Sequence, residues 1–229
     1  MALFAALIGV RAAEPSPGVA LAIVYDTSGS MQQKVRDADG QMTPKNIIAA
    51  HALGAVLDRL QAVASAPGAS PATIQVGLVS FEGDHAGLAI KCAPFNPKPF
   101  REWLRQHNTP QRGTPLGDAV RIAGEMVLRS PLPRKHVLVI TDGVNTKGPD
   151  PTLTMPRLLR DASNANKTVS FHFVAFDVNA GVFAGVKKLG ATVVGAADEK
   201  QLGSQLEFIL EKKILLEEEE VPSTKPKTK

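Results

Sequence analysis

Asp26, Ser28 and Ser30 occupy alternate positions directly after an apolar run, Val19 to Tyr25. A strand that stops in a carboxylate and two hydroxyls presents hard oxygen ligands at the edge of a sheet. Two more polar loops carry the same donor types, Gly113-Thr114-Pro115 and Thr141-Asp142-Gly143. Together they offer the hydroxyls of Ser28, Ser30 and Thr114 and the carboxylates of Asp26 and Asp142, with no imidazole or thiolate. Such a set suits Mg²⁺ first, or Mn²⁺ or Ca²⁺, and disfavours zinc or copper. Two carboxylates neutralise a dication. An octahedral ion then keeps one position for an outside ligand, most favourably another carboxylate.

These loops need elements to hold them. Val19 to Tyr25 is apolar throughout, as a strand covered on both faces must be. Further strands are expected at Thr73 to Phe81, Leu88 to Ala93, His136 to Ile140, Thr168 to Asp177 and Ala191 to Val194. Helical spacing of apolar residues appears from Thr43-Pro44 to about Ala64 and from Thr114 to Leu128. Helices are also expected at Phe100 to Gln106, Asp150 to Asn164, Val182 to Leu189 and Glu199 to about Glu219. In both Thr-Pro pairs a hydroxyl N-cap precedes a proline at the first helical position. Gln32 to Met42 reads as polar and irregular. The alternation predicts an α/β fold, an open, doubly wound, mostly parallel sheet flanked by helices on both faces. Ligands of such sheets sit outside the carboxyl ends of the strands, near the reversal of strand order.

The segments DTSGSM, GTPLGDA and ITDG, in this order and on these elements, resemble the von Willebrand factor A-type (VWA) domain with an intact metal-ion-dependent adhesion site (MIDAS). The resemblance spans about Gly18 to Lys213. It implies a six-stranded sheet of order 3-2-1-4-5-6 with the third strand antiparallel at one edge. It also implies Ser28, Ser30 and Thr114 as direct ligands, and Asp26 and Asp142 acting mostly through waters or hydrogen bonds. The function it implies is a non-enzymatic protein-binding module, of the kind that serves in adhesion, in secreted complexes or as an adaptor: Mg²⁺ at the loop face accepts an Asp or Glu of a partner protein. The alternatives are an ion that only stabilises the loops, and a hydrolase using a metal-bound water.

Other readings of these residues are plainer. Ser and Asp are common helix caps, but three such loops together favour metal binding. Asp37-Ala38-Asp39-Gly40 resembles part of a calcium loop without its closing Glu. A phosphatase would need a second Asp where Ser28 stands. His172, within FHFVAF, reads as a core histidine, and no histidine lies near Ser28 in sequence.

Apolar residues make up 44% of the 229 positions, enough for one domain with a sizeable core. A net charge of +4, spread out, excludes the concentrated basic face of a nucleic-acid groove. The single cysteine, Cys92, rules out an intrachain disulfide and reads as a buried, inert thiol. Residues 1–17 contain an apolar run, Leu3 to Val10, of signal-peptide length and too short to span a membrane, and no other stretch is expected to reach spanning length. Export to the periplasm or outside the cell is therefore the expectation, with a cytoplasmic protein bearing a frayed N-terminus as the alternative. Domain limits are placed at 18 and 213, with 214–229 a fraying helix end and charged tail.

Overall fold

A computed structural model describes residues 18–66, 73–107, 109–110 and 113–216. The proposed leader at 1–17 and the acidic and Lys-rich tail from 217 onward lie outside the described residues. Six strands form the main sheet: β1 (Val19–Tyr25), β4 (Ile74–Glu82), β5 (His85–Pro94), β6 (Arg134–Thr141), β7 (Ser170–Phe176) and β8 (Thr192–Ala196). Their order is β5-β4-β1-β6-β7-β8. All neighbours are parallel except β4 and β5, so the antiparallel strand lies at one edge, as expected.

Each face of the sheet has its own core. One face packs against α1 (Lys45–Ala64), α2 (Pro97–Gln106) and α6 (Glu199–Ile209). The other packs against α3 (Leu116–Leu128), α4 (Pro151–Asn164) and α5 (Ala184–Lys188). β1 shows why it is central. Leu21, Ile23 and Tyr25 point to the first core, Ala20, Ala22 and Val24 to the second, and all are buried. Gly190 at φ +93° ends the turn after α5, a backbone state that suits glycine.

Strand order reverses between β1 and β6. From β1 the chain continues to β4 and β5 on one side, then returns to β6 on the other. Asp26 and Asp142 are the first residues past the ends of these two strands.

Four expectations are corrected. Gln32 to Met42 is not irregular: it enters a hairpin of β2 (Lys34–Arg36) and β3 (Met42–Pro44), with Gly40 at φ +81° in the turn. Thr43-Pro44 consequently belongs to a strand, and α1 begins at Lys45. The cause is local: the Thr43 hydroxyl donates to Asp37 Oδ2 at 2.7 Å instead of capping the helix. The other carboxylate oxygen of Asp37 accepts from the backbone N–H groups of Asp39 and Gln41, so the calcium-like segment serves its own turn. Second, α3 starts at Leu116, leaving Thr114 in the loop before it. Third, α6 ends at Ile209 and passes into a wider π-helical turn, Leu210–Leu215. Fourth, α1 is long and apolar enough to cross a membrane by length and composition, so one stretch does reach that length. Its inner stripe of Ile48, Leu53, Val56, Leu57 and Leu60 is buried in the first core.

Candidate metal centre

Asp26, Ser28, Ser30 and Asp142 form one connected group beyond the ends of β1 and β6. Asp26 is fully buried. Its Oδ1 accepts the backbone N–H of Ser28 at 2.7 Å, and its Oδ2 accepts the Thr141 hydroxyl. The hydroxyls of Ser28 and Ser30 lie 3.0 Å apart. Ser30 Oγ donates to Asp142 Oδ1 at 2.7 Å. Alternate residues face one centre because Ser28 is extended (φ −69°, ψ 160°) and a short 3₁₀ turn begins at Gly29.

Thr114 joins at one remove, through the loop that carries Asp142. Its N–H donates to Thr146 Oγ1 at 2.9 Å, and its carbonyl accepts the N–H of Thr146 at 3.0 Å. Asn145 Oδ1 accepts the N–H of Gly117 at 3.0 Å, fixing the start of α3 to the same loop. Gln32 Nε2 donates to the Pro110 carbonyl at 3.1 Å, so the Ser loop also reaches the segment before Thr114.

Sequence reasoning missed a cation at this face. Lys45, the first residue of α1, has its side chain only 2% exposed. Its Nζ donates to Asp142 Oδ2 at 3.0 Å, to Gln33 Oε1 at 3.0 Å and to Asp177 Oδ2 at 2.9 Å. Burial pulls its pKa down, but the bonds to Asp177 and Asp142 more than offset this and hold it above the ordinary lysine value. Asp177 follows β7 with a left-handed backbone, φ +52°. A sequence signal for Lys45 existed: with Ile48, Ala49, Ala52 and Leu53 it falls on the buried stripe of α1, where a lysine needs a partner.

The electrostatics fit a dication. Burial pushes the Asp26 carboxyl up to about 6, against hydrogen bonds from Ser28 and Thr141 that lower it, and Asp142 raises it further. Three carboxylates against one ammonium leave two negative charges when all are ionised. The three hydroxyls and two carboxylates are all hard oxygens, the donor set of magnesium, manganese or calcium. No cluster of three or more His, Cys, Asp or Glu side chains suited to a metal occurs among the described residues.

His136 and His172 pair with each other on β6 and β7. His172 is buried, as expected, and stacks on His136 with Nε2 and Nδ1 3.2 Å apart. Burial holds both below the usual histidine range, His136 at about 3 and His172 at about 4. Cys92 is only half-buried on the edge strand β5, not fully buried; burial pushes its thiol up to about 11, which keeps it protonated.

The profile of the von Willebrand factor type A domain matches residues 21–145, more than half of the chain, and the protein belongs to that family. No curated protein sequence matches the chain. Solved structures share the fold at low identity. The PilB minor pilin from Streptococcus sanguinis is 15% identical, with 85% of this chain and 61% of that one covered and a TM-score of 0.61. The vWF domain of the type V pili tip protein Mfa5 from Porphyromonas gingivalis is 13% identical over 85% of this chain and 94% of that one, TM-score 0.60. Proximal thread matrix protein 1 from the mussel byssus, solved with a zinc-occupied MIDAS motif, is 16% identical over 86% of this chain and 48% of that one, TM-score 0.60. The chain thus spans less than two thirds of the length of the pilin it matches.

Proposed function

We propose that this VWA domain is a divalent-cation-dependent protein-binding module with a MIDAS-type site and no catalytic activity. The observation that carries the reading is the connected Asp26–Ser28–Ser30–Asp142 group at the reversal of strand order, with Thr114 held to the same loop. The hydroxyls of Ser28, Ser30 and Thr114 are the direct ligands. Asp26 and Asp142 orient those hydroxyls and balance the charge. Mg²⁺ is the ion favoured by hard oxygen donors, with Mn²⁺ or Ca²⁺ as substitutes. When bound, the cation supplies a positive site for an Asp or Glu carboxylate of a partner protein.

Structural neighbours named for pili and for the mussel byssus support an adhesive role and export. Residues 1–17 are the proposed leader and 18–213 the proposed domain. The test is capture of partners from native extract with Mg²⁺ and with EDTA. Partner binding that requires Mg²⁺ and disappears in Asp26→Ala supports the reading. Undiminished capture in metal-free buffer overturns it.

A further inference from the structure

Among the described residues, Lys45 is the one buried ammonium in contact with Asp142, and the metal-binding reading gives it no task. We infer that Lys45 is a resident counter-cation of the metal face: it preassembles the site without an ion and competes with the ion for the charge of Asp142. The inference rests on the metal-binding reading and adds what tunes that site.

Three chain segments converge on one nitrogen. Gln33 comes from the residue before β2, Asp142 from the end of β6, and Asp177 from the end of β7. The backbone adds a fourth tie, since the N–H of Lys45 donates to the Gln33 carbonyl at 2.9 Å. The two oxygens of Asp142 are divided: Oδ1 takes the Ser30 hydroxyl, and Oδ2 takes the ammonium. The same carboxylate that orients a ligand hydroxyl is therefore neutralised from behind. Asp142 has a side chain with no exposure, so this charge is not screened by bulk water.

Two consequences follow with opposite signs. Without an ion, buried Asp26 and Asp142 repel each other, and the ammonium offsets that repulsion. With an ion, the same ammonium repels it. Asp177 works against Lys45, because it draws part of the ammonium's charge toward a partly exposed carboxylate, 40% accessible.

The test is isothermal titration of the full chain with Mn²⁺, alongside melting of the metal-free protein. Lys45→Met keeps the apolar stem and removes the charge. It is expected to tighten Mn²⁺ binding by about tenfold or more, a change of the size one nearby charge produces. It is also expected to lower the metal-free melting temperature. Asp177→Asn leaves the whole ammonium charge on Asp142 and is expected to weaken Mn²⁺ binding. A lysine with a purely structural role predicts weaker binding in both variants, because both loosen the loops. Unchanged or weaker binding in a folded Lys45→Met protein overturns the inference while the metal site stands. No Mn²⁺ binding by the wild-type chain overturns the metal reading itself, and this inference with it.

Discussion

Ser30 Oγ donates to Asp142 Oδ1 at 2.7 Å although 112 positions separate the two residues. That one bond joins the loop after β1 to the loop after β6, and it turns two sequence motifs into a single site. The bond exists because β1 and β6 are paired in parallel over Val19 to Tyr25, which brings their carboxyl ends side by side.

Asp26→Asn separates fold from ion binding. An amide at this position still accepts the Ser28 N–H through its oxygen, and the Thr141 hydroxyl can turn its hydrogen to the Gly143 carbonyl, 3.2 Å away. The metal-free melting temperature should stay within a few degrees of wild type or rise, because a buried charge has been removed. The stabilisation that Mg²⁺ gives the wild type should vanish. Differential scanning fluorimetry with and without Mg²⁺ reads both.

The same carboxyl sets a pH dependence. Its folded pKa, about 6, lies above the ordinary carboxyl value of 3.8, so the unfolded chain releases this proton first. Its contribution to metal-free stability is thus largest at low pH and is lost as pH rises from about 4 through 6. The melting-temperature difference between wild type and Asp26→Asn should shift against the wild type over that window. Added Mg²⁺, which favours the ionised carboxylate, should restore the wild type most strongly above pH 6.

The His136–His172 pair gives an opposite trend. Both folded pKa values, about 3 and about 4, lie below the ordinary 6.5, so the pair is neutral in the fold. Their stabilisation is complete above 6.5 and is lost as pH falls toward 4 and 3. Arg134, beside His136, and Lys213, beside His172 on the π-helical turn, add to the cost of protonation. His172→Phe removes one of these protonation sites and should move the acid-unfolding midpoint, followed by Trp103 fluorescence, to lower pH by about half a unit or more.

Much of this was legible in the sequence. Each central strand is an apolar run that ends in polar donors, so the two-faced sheet and the loops bearing Asp26, Ser28, Ser30, Thr114 and Asp142 followed from local pattern, whereas the strand order came from the family resemblance. What was not legible depended on particular side-chain contacts that residue pattern does not reveal. Thr43-Pro44 has the local chemistry of a helix start, but the Asp37 carboxylate claims the Thr43 hydroxyl and makes a hairpin of it. Lys45 falls on the apolar stripe of its helix, but the partners that neutralise it there, Gln33, Asp142 and Asp177, come from other segments. The histidine pairing arises from the β6–β7 register, where Leu138 stands opposite His172 and His136 opposite Ser170.

Gly117 tests whether the Thr114 loop is held by close packing. A Cβ on Gly117 would overlap the carbonyl oxygen of Pro149, in the loop that also carries Asn145 and Thr146. Gly117→Ala should destabilise the protein by about 2 kcal/mol, the scale of an overpacked contact. It should also weaken Mn²⁺ binding, because Thr114 is hydrogen-bonded to that loop through Thr146. Chemical denaturation together with titration of the ion checks both.

The most direct measurement is the anomalous difference density of crystals grown with Mn²⁺. The account predicts one strong peak per chain, in contact with the hydroxyls of Ser28, Ser30 and Thr114, with Asp26 and Asp142 behind them and absent in Asp26→Ala crystals. A peak elsewhere, or none at saturating Mn²⁺, would contradict it.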